Sequence, residues 1–90
     1  MTVYQTHLRA LRHRYHVSVT ELASHAGLSK QYISRAELGE IAATTRLEAQ
    51  MSVALEAVIF KRKAELQALE RDYITYKGNL LTKGEHLNEQ

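Results

Sequence analysis

Apolar positions along this chain recur at steps of three and four residues and nowhere alternate for long. The pattern reads as helices joined by short polar turns. Tyr4, Leu8, Leu11 and Tyr15 form one stripe and predict a first helix from residue 3 to 15 or 16, opened by the capping box Thr2-Val-Tyr-Gln5. Arg9, Arg12 and His13 fall on its other faces. Ser18-Val-Thr-Glu21 is a second box, predicting a helix to Ala26 that buries Leu22, Ala23 and Ala26. Gly27 is placed to end it in the left-handed conformation, and Leu28 plugs the core at the turn. Ser29 caps a third helix from Lys30 to Leu38, with Ile33 and Ala36 inward and Gly39 closing it. Lys30, Gln31, Ser34 and Arg35 then project to solvent.

A short loop over 40–44 leads to a third box, Thr45-Arg-Leu-Glu48, and a fourth helix whose face carries Leu47, Met51, Ala54, Leu55, Val58 and Ile59. No glycine or proline interrupts before Gly78, so about thirty residues of unbroken helix are expected, a length that suggests a partner strand. Ile59, Leu66, Tyr73 and Leu80 fall seven apart, and Leu69 and Tyr76 take the intervening positions, with Arg62 interrupting the second series. The expected organisation is a folded unit over 1–58, a helical extension for oligomerisation over 59–82, and a polar, fraying tail over 83–90. The stripe could fold back as a fifth helix. Pairing between chains is the preferred reading, because the first four helices already fill a core. Tyr73 and Tyr76 are bulky for a tight two-stranded seam, which leaves a tetramer open.

Composition agrees with an all-α chain of four to five helices. It has 90 residues, 44% hydrophobic, with no proline and four glycines. The absence of cysteine excludes disulfides and thiolate metal sites and suits a reducing cytosol, so a cytoplasmic protein is expected. No run of apolar residues is long enough to span a membrane. The net charge of +2 is unevenly spread: residues 1–39 carry a net +3 and residues 40–90 a net −1. The positive end coincides with the two short central helices, where an anionic partner is expected.

Residues 18–39 resemble the Cro/CI-type (Xre-like) helix-turn-helix family, whose fold is lambda repressor-like. The family's run appears here as Leu22-Ala23, Gly27, Ser29, Ile33-Ser34 and Glu37 with Gly39, without a gap, and the likeness extends over about residues 4–58. It implies that Lys30, Gln31 and Arg35, with Ser34 and Tyr32 nearby, face base edges in the major groove of double-stranded DNA. The chemistry agrees, since Arg and Lys donate to guanine O6 and N7 and Gln can pair with adenine. The resemblance also implies a structural ion pair between Arg12 and Glu37. Backbone amides and hydroxyls around Ser18 and Thr20, with Ser29, would meet phosphate.

Two departures weaken that grip: Val19 stands where the family often has Gln, and the loop Glu40-Ile-Ala-Ala-Thr offers no cation. Arg9, Arg14 and Arg46 are the expected replacements, with dimerisation compensating for weak monomer affinity. The resemblance implies a small dimeric repressor of a phage, plasmid or mobile element, reading two half-sites.

Other chemistries find little support. His13, His16 and His25 lack converging ligands, so no metal is expected, and no nucleophile elbow or phosphate loop points to an enzyme. No cofactor or small-molecule ligand is evident. Lys61-Arg-Lys63 reads first as a charged helix face, second as a flanking phosphate contact or a partner for Glu65, Glu70 or Asp72 of another chain. Two rival functions remain. One is an interaction module whose long helix binds another protein, as in an antitoxin. The other is a non-specific architectural DNA binder.

Overall fold

The computed structural model describes residues 6–83, which form four helices: α1 (His7–Arg14), α2 (Val19–Ala26), α3 (Lys30–Glu37) and α4 (Thr45–Tyr76). No strand occurs among the described residues. Tyr4, the box beginning at Thr2 and the tail beyond residue 83 lie outside them.

Each helix start is fixed by a hydroxyl that takes up an otherwise orphaned amide. Ser18 Oγ accepts from the Glu21 amide at 2.9 Å, Ser29 Oγ from Tyr32 at 3.1 Å, and Gly27 closes α2 at φ 69°. Two starts differ from the sequence expectation. Thr6 caps α1, accepting from the Arg9 amide at 3.2 Å, so α1 is a short helix of eight residues that begins at His7 and not at residue 3. Thr44, not Thr45, caps α4 through the Leu47 amide at 3.1 Å. In both places a Thr without a Glu or Gln at the third helical position does the capping, because the amide three residues on needs only one oxygen. The Ser18 box is also half-made: Glu21 turns its carboxylate to Arg62 instead of its own cap.

The core gathers Val17, Leu22, Ile33, Leu47, Met51, Ala54 and Val58, with Leu8, Ala23, Ala26, Leu28 and Ala36 packed around it. Helix α2 lies against both α3 and α4. Helix α1 buries no residue fully, contrary to its predicted stripe: Leu8 is half-buried, while Leu11 and Tyr15 stay 40% and 57% exposed. A groove of about 400 Å³ between α1 and α4, lined by Leu8, Leu11, Leu47, Met51 and Leu55, accounts for the looseness on that side.

Helix α4 runs unbroken for 32 residues. Its first half buries Leu47, Met51, Ala54 and Val58, whereas Ile59, expected on that face, is exposed. From Lys63 onward every described residue is exposed except half-buried Ala68. Lys77 leaves the helix at ψ 127° and Gly78 has φ 92°, so Leu80 sits in a turn and does not continue the heptad series.

Candidate nucleic-acid interface

Helix α3 is an eight-residue element with two chemically opposite sides. Ile33 and Glu37 are buried, one helical turn apart. Lys30, Gln31 and Arg35 are exposed on the other side, with Ser34 half-buried among them and Tyr32 39% exposed. The i, i+1, i+4, i+5 spacing of residues 30, 31, 34 and 35 gathers two cations, an amide and a hydroxyl on one helix face.

The buried end of α3 is held by charge. Arg12 Nε donates to Glu37 Oε2 at 2.7 Å and its Nη2 to Oε1 at 2.8 Å, a two-bond fork with Glu37 only 2% exposed. A third donor, Nη1, reaches the Val17 carbonyl at 3.1 Å, so one guanidinium joins α1, the α1–α2 turn and α3. The hydrogen bond to Glu37 raises the Arg12 pKa, burial opposes it and the Glu37 charge adds to it. Because the folded-state value is raised, the stability this group contributes is complete below the ordinary arginine range and is lost only as pH climbs through the raised value. With that pair made, Glu37 turns no unpaired charge toward an anionic ligand.

Just beyond Glu37 the backbone closes the same end of the helix. Gly39, at φ 78°, donates to the Ala36 carbonyl at 3.1 Å, and Glu40 N–H donates to the Arg35 carbonyl at 3.0 Å. This paired closure is a Schellman motif, and it sets Glu40 beneath Arg35. The Glu40 carboxylate lies 3.4 Å from Arg35 Nε in a pair exposed on both sides. In the sequence Glu40 stands only as a missing cation; in the fold it is a counter-ion for Arg35. The signal available was the Glu-x-Gly-Glu run, whose glycine dictates the turn.

The remaining predicted contacts are spread over three helix starts and α1. The Ser18 and Ser29 oxygens accept their cap bonds, leaving each O–H able to donate outward. Thr20, Arg14 and Arg46 are exposed, and Arg9 is half-buried in the first turn of α1. Among the described residues no three His, Asp or Glu side chains come together as a metal site.

Two short helices meet at a tight Gly27 turn, and comparison with known families finds a helix-turn-helix over this part of the chain. The description of the matching family is "helix-turn-helix domain", and the match covers residues 6–57. The chain belongs to the helix-turn-helix domain family. No curated protein and no solved structure matches it. Membership in the helix-turn-helix family points to a DNA-binding regulator and agrees with the Cro/CI-type likeness read from residues 18–39. Among the described residues, no helix is long and apolar enough to cross a membrane. The matched helix-turn-helix domain stops at residue 57, five residues short of Arg62. Yet Arg62 donates to the Tyr15 carbonyl at 2.6 Å, to the His16 carbonyl at 3.0 Å and to Glu21 Oε1 at 3.0 Å. The residue that interrupts the heptad pattern is therefore bonded to the helix-turn-helix unit itself.

Proposed function

We propose that this protein is a sequence-specific regulator of transcription that reads the major groove of double-stranded DNA with α3. The carrying observation is the Lys30–Gln31–Arg35 face, exposed on a helix whose opposite side is fixed by the buried Arg12–Glu37 fork. Lys30 and Arg35 donate to guanine edges and Gln31 pairs with adenine, each good bidentate contact discriminating by roughly 1–3 kcal/mol. Ser34 and Tyr32 flank them. Ser18, Thr20 and Ser29, with Arg9, Arg14 and Arg46, supply phosphate contacts that fix register. Arg35 must exchange its Glu40 partner for a base, a small cost for an exposed pair.

The working form in this reading is a homodimer, or a tetramer, paired through Ile59, Leu66, Leu69, Tyr73 and Tyr76 and reading two half-sites about one helical turn (~34 Å) apart. The Cro/CI-type likeness supports a small cytoplasmic repressor from a phage, plasmid or other mobile element, with no enzymatic activity. A second reading is favoured by the exposed apolar residues on the protruding half of α4, Leu66 and Leu69 among them. That half would hold a different protein, as an antitoxin holds its toxin, while residues 6–62 keep the DNA.

Selection of bound sites from random DNA tests the first reading. The expected result is a two-fold symmetric pair of half-sites whose binding survives competitor DNA. Binding without sequence preference that collapses as salt rises would instead mark an architectural binder. Lys30→Ala, Gln31→Ala and Arg35→Ala are each expected to weaken the selected site by about tenfold with unchanged helicity. Unchanged affinity in all three would remove α3 from the groove.

A further inference from the structure

The α1–α2 turn is held in an unusual way. His16 takes a left-handed backbone at φ 56° as the closing residue of α1. Its N–H donates to the His13 carbonyl at 3.5 Å, and the Val17 N–H to the Arg12 carbonyl at 2.9 Å. The carbonyls of Tyr15, His16 and Val17 follow one another at the end of α1, where no helical amide is left to meet them. All three accept from arginines, Tyr15 and His16 from Arg62 and Val17 from Arg12. Arg62 lies one helical turn beyond buried Val58, so its side chain leaves α4 on the face that packs into the head. There it also takes Glu21, in the first turn of α2. Arg12 thus ties the turn to the end of α3, and Arg62 ties it to the start of α2 and to α4.

We infer that Arg62 is a positioning residue for DNA binding, holding the N-terminal end of α2, and with it Ser18 and Thr20, in the orientation that meets phosphate. The inference rests on the DNA-binding reading above. Its chemistry requires a planar fork: one group must span two adjacent carbonyls and a carboxylate, which a guanidinium does and a single ammonium does not. The functional unit accordingly extends at least to residue 62, beyond both the family match and the expected boundary at residue 58.

The test uses the full chain and a short random-sequence duplex, titrated over a salt series at a temperature where circular dichroism shows every variant folded. Arg62→Met is expected to bind about tenfold more weakly, the scale of one charge-assisted hydrogen bond. Its salt slope should match that of wild type, because the contacts weakened at Ser18 and Thr20 are neutral. A slope shallower by about 0.9, one phosphate neutralised fewer, would make Arg62 a direct phosphate ligand and overturn the inference. Arg62→Lys, which keeps the charge but not the fork, is expected to bind no better than Arg62→Met. Rescue by Lys would make Arg62 a direct phosphate ligand and overturn the inference, as would wild-type affinity in Arg62→Met.

If Arg62→Met does not fold, Glu21→Gln serves instead. It removes a negative charge, so simple electrostatics predicts tighter binding, whereas loss of positioning predicts binding about twofold weaker. A gain in affinity there overturns the inference. A wild-type chain that binds no duplex overturns this inference together with the proposed function; wild-type binding with unaltered Arg62→Met overturns this inference alone.

Discussion

The two halves of α4 have similar apolar spacing and opposite surroundings. In the first, Leu47, Met51, Ala54 and Val58 are buried against α2 and the rest of the head. In the second, Leu66 and Leu69 remain 61% and 65% exposed, and Tyr73 is 44% exposed. The change comes at Arg62, where the side chain facing the head is a cation bonded to carbonyls. Periodicity alone says that a helix has an apolar side; what covers that side is decided by chain elsewhere in sequence. The first half stabilises the fold by burial, and the second is kept helical by continuity with the first and by residues with good helix propensity.

Breaking the head should cost most. Arg12→Ala leaves the buried Glu37 carboxylate without its counter-ion, and a loss of about 3–5 kcal/mol is expected. In a domain of this size that lowers Tm by more than about 12 °C. Calorimetry checks it, and a melting point within a few degrees of wild type would remove the fork from the stability of the head.

A matched pair of substitutions addresses the two halves directly. Met51→Ala is expected to cost about 2–4 kcal/mol in denaturant titrations. Leu69→Ala, at an exposed site, should change monomer stability by no more than about 0.5 kcal/mol. Its effect belongs in sedimentation, as a shift toward monomer. Equal losses of stability in the two variants would mean that the protruding half packs on the head in solution.

Cutting the chain after Lys63 sharpens the comparison further. The shortened protein keeps Arg62 and every buried residue named above, so its Tm at low concentration is expected to stay within about 5 °C of the full chain, less than about 1 kcal/mol. Its DNA affinity should fall with the loss of pairing. A cut after residue 58 removes Arg62 as well and should melt lower than the cut after Lys63. Coincident melting curves for the two truncations would deny Arg62 any part in the head. The smallest expected effect is at Glu40→Gln, where losing an exposed counter-ion to Arg35 should alter stability by less than about 1 kcal/mol and raise affinity for random duplex modestly. A fall in that affinity would show that Glu40 helps, and does not restrain, Arg35.

Much of the helix-turn-helix was legible because its signals are local. Ser18, Gly27, Ser29 and Gly39 act on amides and carbonyls within a few residues, and the structure places all four where those rules put them. The starts of α1 and α4 escape the pattern where two threonines compete and only one of them has a matching Gln or Glu. The stripe of α1 fails for a different reason: Leu11 and Tyr15 have the right spacing, but α1 is attached largely by arginines. Arg62 is invisible in the sequence as a structural residue because two of its three acceptors are backbone carbonyls 46 and 47 positions away. Carbonyls leave no side-chain signature.

The unbroken course of α4 carries a consequence about phase. With neither glycine nor proline from Thr45 to Tyr76, the helix is a shaft ~48 Å long at 1.5 Å per residue. Its near end is keyed to the head by Val58 and Arg62. Adding one residue between 63 and 76 would rotate everything beyond it by about 100° around the shaft relative to α3, while adding seven would restore the angle to within about 20° and lengthen the shaft by ~10 Å. The angle at which the far end presents its apolar side is therefore set by residue count, much as the angle of a crank is set by where it is keyed to its axle.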